Sequence, residues 1–161
     1  MANWAEMDKK DPARNACRAI VTNYIMPHVE SIEQTMASNL PELSRPSMEG
    51  TKVIWVTFFK VKKGMDFLDL IKNVSSAVKT SEGNFRGYWY RVIGGGPDAP
   101  DYFITEPYKS FADLDKQQDN PYKVYEKVNG KKAGDAIMAK AKSSIENAWS
   151  YLYTLSEDLS N

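Results

Sequence analysis

The stretch Val53–Val61, VIWVTFFKV, decides the fold. It is the longest apolar, β-branched and aromatic run in the chain, a composition that suits a pleated strand. Successive side chains of a strand point to opposite faces. Ile54, Val56 and Phe58 therefore share one face, and Val53, Trp55, Thr57, Phe59 and Val61 share the other. A sheet with one wet face alternates apolar and polar residues along each strand. This strand does not, so both of its faces call for burial.

Downstream, Lys62-Lys63-Gly64 turns the chain, and Met65 to roughly Lys79 reads as an amphipathic helix. Phe67, Ile71, Val74 and Val78 recur there on one helical face. Ser81-Glu82-Gly83-Asn84 ends it. Phe85–Ile93 (FRGYWYRVI) reads as a second strand, Gly94–Pro100 (GGGPDAP) as a hairpin loop and Tyr102–Thr105 as a short third strand. Pro107–Phe111 leads back towards helix. Asp119-Asn120-Pro121 is a helix-start signal. Tyr122–Val128 breaks at Asn129-Gly130, and a longer helix spans about Lys132–Trp149, with Met138, Ala141, Ile145 and Ala148 on one face. Ser150–Leu155 (SYLYTL) is read as a fourth strand, or as a prolongation of that helix. The order is βαββαβ. It predicts an α+β, ferredoxin-like domain with a four-stranded antiparallel sheet and two helices on one face.

Upstream, residues 1–44 read as an N-terminal helical extension, residues 45–50 (RPSMEG) as a linker, and residues 51–161 as the ferredoxin-like domain. Asp11-Pro12 starts the extension. Ala16, Ile20, Tyr24, Val29, Ile32 and Met36 follow at roughly helical spacing, with Pro27 expected to kink or split the helix before His28. This segment echoes the end of the chain. WAEMDKKDP (Trp4–Pro12) matches FADLDKQQDNP (Phe111–Pro121) with a two-residue gap, SIEQ (Ser31–Gln34) matches SIEN (Ser144–Asn147), and PELS (Pro41–Ser44) matches SEDLS (Ser156–Ser160). Residues 1–44 are thus the C-terminal half of a preceding, truncated repeat, or an unrelated extension that caps the sheet.

Bulk composition excludes several classes. The 161 residues are 42% hydrophobic and 26% charged, ordinary for a globular protein. Lys+Arg and Asp+Glu balance at 21 each, so no net field draws nucleic acid or an anionic membrane. Lys60, Lys62 and Lys63 read as a solvated strand end. Cys17 is alone, which rules out an intrachain disulfide and a multi-cysteine metal site. No run approaches the roughly 20 apolar residues of a membrane helix, and the polar N-terminus lacks a signal-peptide core. The expectation is a cytoplasmic protein with no cofactor and no metal. Asp113, Asp115 and Asp119 lack the continuation of a calcium loop, and Gly94-Gly95-Gly96 precedes a strand, not the helix N-terminus of a phosphate cradle.

The run FFKVKKG, the amphipathic helix, the aromatic strand GYWYRV and the short strand leading to FADLD together resemble the dimeric α/β-barrel superfamily over about Thr51–Asn161. The antibiotic-biosynthesis monooxygenase-like and NIPSNAP-like groups belong to it, as do bacterial relatives that carry the unit in tandem. The resemblance implies a sheet with one face on its helices and the other on a second sheet, from a partner subunit or a tandem repeat, that closes a barrel; a homodimer through the sheet face is the simplest closure, with the N-terminal half-repeat as the alternative cover. It also implies a ligand pocket between sheet and helices.

His28, the only histidine, lies outside the complete domain, which argues against a haem-binding or histidine-dependent variant. The ligand-binding candidates are polar-tipped groups on strands: Trp55, Thr57, Tyr88, Tyr90, Arg91 and Tyr102. Tyrosines and an arginine on a pocket wall can hold a phenolate, enolate or carboxylate, and the same aromatics can serve as core and interface packing. Catalytic residues are not assigned. Two functions follow. One is a domain that binds a small apolar or aromatic ligand, or a cofactor-independent monooxygenase-like enzyme. The other is a non-enzymatic dimerisation or scaffold domain with a packed aromatic core.

Overall fold

A computed structural model describes residues 13–116 and 118–156. The chain divides into two units, Met1–Gln34 and Thr35–Asn161. The matching segment at Trp4–Pro12, the Asp11-Pro12 start signal and most of SEDLS lie outside the described residues.

In the first unit, α1 (Ala13–Ile20) loosens into a π turn over Val21–Ile25 and ends in a 3-10 turn, Met26–His28, that contains Pro27. Proline lacks the N–H that a continuing helix needs, and Val29 is already extended. The helix therefore does not run on to Ile32 and Met36 as their spacing suggested.

Met36 instead opens a strand of the second unit, β1 (Met36–Asn39). The unit continues with β2 (Val53–Val61), α2 (Gly64–Glu82), β3 (Tyr88–Gly94), β4 (Tyr102–Tyr108), α3 (Pro121–Asn129), α4 (Lys131–Ser144) and β5 (Ile145–Thr154). The sheet order is β1-β3-β4-β2-β5, with every pair antiparallel. Strands β3-β4-β2-β5, with α2 between β2 and β3 and α3–α4 between β4 and β5, make the ferredoxin-like arrangement. The sheet has five strands, not four. The fifth arises because Met36–Asn39 satisfies its backbone on the free edge of β3, with Leu40 N–H donating to Trp89 O at 2.8 Å. Leu43, in a 3-10 turn after β1, is 4% exposed in the core.

Helix α2 forms because Phe67, Leu70, Ile71, Val74, Ala77 and Val78 make one buried stripe. It stops at Gly83, whose φ of 81° is the left-handed value that favours glycine. The Asn120 side chain accepts from Tyr122 N–H to cap α3, and Pro121 occupies its first turn. The core stands on rings: Phe67 packs its centroid 5.0 Å from Tyr102, 5.1 Å from Phe59 and 6.2 Å from Trp89.

Several boundaries differ from the sequence reading, those of α4 and β4 among them. Helix α4 ends at Ser144, and Ile145–Thr154 pairs along the whole of β2. Trp149, Tyr151 and Tyr153 recur every second residue, a strand period that outweighs the helical spacing of Ile145 and Ala148. Strand β4 runs through Pro107 to Tyr108. Its pairing with β3 ends at Tyr88 and Thr105, and Lys52 N–H donates to Tyr108 O on the β2 side. The missing N–H of Pro107 thus points where no ladder partner waits.

Candidate functional site

The odd residues of β2 face the helices. Register carries this parity across the sheet: Thr57 is opposite Ile104, Phe59 opposite Tyr102, and Trp89 opposite Ile104 from the other side. Where α2 and the start of α3 separate above these positions, a cavity of about 330 Å³ opens between sheet and helices. Its wall is apolar, from Phe59, Phe67, Ile71, Val74, Trp89 and Ile104, with polar groups from Thr57, Ser75, Glu106, Asn120 and Tyr122. A mainly apolar hollow with a few convergent polar groups is the usual form of a small-molecule site.

Several of those groups already have partners. Trp89 Nε1 donates to Ser75 Oγ at 3.2 Å, which fixes the indole on the wall. Thr57 Oγ1 and Ser150 Oγ are 2.9 Å apart. Burial raises the Tyr122 phenol above its ordinary value. Among the described residues, Glu106 is the only carboxylate lining the cavity. Burial pushes its carboxyl up, Arg86 pulls it back, and Glu82 adds a smaller upward push. No hydrogen bond or ion pair engages its side chain among the described residues.

Glu106 sits at a junction. On its far side a polar recess of about 390 Å³ is lined by Arg45, Glu82, Arg86, Tyr108, Lys109 and Lys116, among others. Arg86 is anchored there: its guanidinium reaches Glu82 at 3.0 and 2.5 Å and donates to Asp119 O at 2.8 Å. Burial, with the neighbouring Glu106 charge, lifts the Tyr108 phenol to about 12. Arg45 donates from Nη1 to Arg86 O at 3.3 Å, while its buried Nε has no partner. Space for the Glu106 stem depends on Gly87, where an added Cβ would stand 3.1 Å from Glu106 Cγ.

The six residues singled out from sequence fall in several places. Thr57 lines the cavity. Trp55 is on the same face, paired in register with Glu106, and is 40% exposed outside the cavity lining. Tyr102 is 5% exposed and packed on Phe67. Arg91 pairs in register with Tyr102 and is exposed. Tyr88 and Tyr90 point to the opposite face, where Tyr88 Oη donates to Pro46 O at 2.9 Å and Tyr90 stacks on Phe103 at 4.7 Å.

Trp89, Tyr122 and Glu106 were not among those six. A lone acid inside the apolar strand YFITEPY was a usable signal for Glu106, since an ionisable group amid strand apolars is seldom left without a role.

The even face carries aromatics of its own. Phe58 packs against Phe103, Trp149 and Tyr151 at 5.6, 5.7 and 6.0 Å, and Tyr151 meets Tyr153 at 6.3 Å. Helices α2, α3 and α4 lie on the other side. Tyr151 and Tyr153 are 55% and 51% exposed.

Lys60, Asp113 and Asp119 have structural partners. Lys60 Nζ donates to Pro97 O and Ala99 O and so ties down the glycine loop. Asp113 closes a capping box with Ser110, and Asp119 pairs with Lys123 and Lys127. Among the described residues no acidic, histidine and cysteine side chains gather as a metal site, and no helix is long and apolar enough to cross a membrane.

No protein-family model matches the chain, and no curated protein matches it in sequence. Two solved structures are similar. One is a dimeric ferredoxin-like protein of unknown function from Thermobifida fusca, at 9% identity and a TM-score of 0.40, covering 68% of this chain and 95% of that one. The other is a "Putative monooxygenase" from Fusobacterium nucleatum, at 16% identity and a TM-score of 0.45. It covers 91% of this chain, which spans 61% of that protein's length. The ferredoxin-like assignment stands on the strand order and connections themselves.

Proposed function

We propose that the protein binds a small, largely apolar molecule in the cavity between its sheet and helices. The observation that carries this reading is the cavity itself: about 330 Å³ of apolar wall beside one carboxyl group that lacks a committed partner. Thr57 and Tyr122 add hydroxyls with which to orient a ligand, and the Trp89 indole, held by Ser75, supplies a flat apolar wall. Of the other sequence candidates, Trp55 stands nearest in register, beside Glu106. A cofactor-independent monooxygenase-like reaction that begins with loss of a substrate proton would use Glu106 in its ionised form, whose basicity burial raises.

The test is a thermal-shift screen of small apolar and aromatic compounds on the full chain, repeated on Ile71→Trp, which fills the cavity. Hits that stabilise the native chain and are lost in the filled variant support the reading. Equal shifts in both proteins place binding elsewhere and refute it. Oxygen uptake with a confirmed hit then separates an enzyme from a binding domain.

A second reading, a homodimer joined through the sheet face, is favoured by the even-face aromatics. Phe58, Tyr90, Phe103, Trp149, Tyr151 and Tyr153, each partly exposed, present on the order of 400 Å² of aromatic surface. Apolar patches of that size commonly mark interaction sites. Light scattering at micromolar concentration tests it. A dimer that dissociates in Tyr151→Glu supports the interface, and a native monomer rejects it.

A further inference from the structure

We infer, resting on the ligand cavity proposed above, that its occupant is an amphipathic organic acid, with an apolar body between sheet and helices and an anionic headgroup in the recess of Arg45 and Lys109. The two spaces are neighbours that share Glu106 in their walls. A narrow gap of about 60 Å³, lined by Val74, Phe85, Arg86, Trp89 and Ile104, lies between them, and Glu106 borders all three. Their chemistry differs sharply from one end to the other: aromatic and aliphatic walls on the sheet–helix side, charged groups on the far side.

The recess favours an anion once its internal pairs are taken out. It is faced by Arg45 from the turn after β1, Glu82 from α2, Arg86 from the loop before β3, and Glu106 and Tyr108 from β4. Lys109, Asp113 and Lys116 face it from the segment after β4. Glu82 is engaged by Arg86, and Asp113 by Lys116. Two cations then remain, Arg45 with its unpartnered Nε and Lys109, against one acid, Glu106. Protonated Glu106 is a donor, not a repelling charge, and can share its proton with an incoming carboxylate. Burial shifts Glu106 towards that form, and an anion bound beside it shifts it further, drawing a proton from solvent. An apolar alcohol of the same length gains nothing from the two cations.

The experiment uses the full chain with decanoate and decanol as probes, measured by calorimetry at low salt in buffers of different ionisation enthalpy. The expected result is decanoate binding about tenfold or more tightly than decanol, the scale of one charge-assisted hydrogen bond. Decanoate binding should be accompanied by proton uptake in the native chain and not in Glu106→Gln. In Arg45→Met/Lys109→Gln the preference for decanoate should fall to within about threefold, while decanol binding serves as the check that the cavity is intact. Lys109 is exposed, so Lys109→Gln alone gives a smaller loss of the same kind if the double variant does not fold. Decanol matching decanoate overturns the headgroup assignment and leaves the cavity reading standing. A decanoate preference that survives the substitutions also overturns it. Neither probe binding overturns both readings together.

Discussion

Gly87→Ala tests the geometry on which the site depends. A Cβ at this position would stand 2.4 Å from Thr105 O, 3.0 Å from Ile104 Cγ1 and 3.1 Å from Glu106 Cγ. The first of these is a backbone atom, so no rotamer change can relieve it. The two strands must separate by about an ångström to restore ordinary contact. Movement the other way is also resisted, because the Gly87 carbonyl accepts from Arg45 N–H at 3.0 Å. Overpacking of this kind costs about 1–3 kcal/mol. The gain from replacing glycine in an extended segment, roughly 0.5–1 kcal/mol, offsets part of that. The net loss is about 1–2 kcal/mol, with the displacement falling on Glu106 and on the Arg45 hydrogen bond. Urea denaturation measures it. With a slope of about 1–3 kcal/mol per molar, the midpoint should fall by roughly 0.5–1 M. A variant whose midpoint matches the native protein, or rises, would mean that β3 and β4 stand farther apart here than described, and the close approach that shapes the Glu106 niche would be wrong.

Phe67→Ala should cost about 3–5 kcal/mol in the same assay, because the ring is 1% exposed and contacts three other rings. Leu43→Ala should cost about 2–5 kcal/mol, a core-sized loss from a segment outside the βαββαβ pattern; a loss under about 0.5 kcal/mol would detach that segment from the core. Glu106→Gln should change how stability depends on pH. The folded carboxyl lies above its ordinary 4.5. Folding therefore favours the protonated carboxyl relative to the unfolded chain, and the stability it contributes is full below 4.5 and is lost as pH rises through the folded value. Denaturation midpoints across this range should show the native chain losing ground to Glu106→Gln as pH rises, and a constant gap would contradict the burial of this group.

The βαββαβ order was legible because β2 and β3 are dense in β-branched and aromatic residues, α2 carries a helical stripe, and Gly83 and Asn120-Pro121 mark ends that local chemistry enforces. Local pattern failed where a long-range partner decided the outcome. Met36 fits a helical stripe, yet the free edge of β3 takes it as a strand. Ile145 and Ala148 fit the stripe of α4, yet nine residues of β2 needed a partner along their full length. The site was partly hidden for a different reason. Parity on β3 is a binary choice that one residue inverts, so Tyr88 and Tyr90 stood out by their hydroxyls while Trp89 faced the cavity. Glu106 was obscured because its importance comes from Arg86, Glu82 and Gly87, which are far from it in sequence and adjacent in space.

Strand β2 shows how one segment supports both proposals at once. Its odd residues close the floor of the cavity, with Phe59 against Phe67 and Thr57 on the wall. Its even residues carry Phe58, the centre of the aromatic cluster on the other face. The two faces are not independent. A side chain cannot change sides without a register slip, and a slip would expose Phe59 and bury Lys60. Pairing with β4 over seven residues on one edge and with β5 over nine on the other makes that slip costly. Association through the even face would therefore stiffen the strand that floors the cavity, and a ligand in the cavity would in turn favour the strand geometry that the interface needs. If the protein both binds a ligand and dimerises, the two equilibria would share this strand, and by linkage whatever ligand binding did to dimer affinity, dimerisation would do equally to ligand affinity.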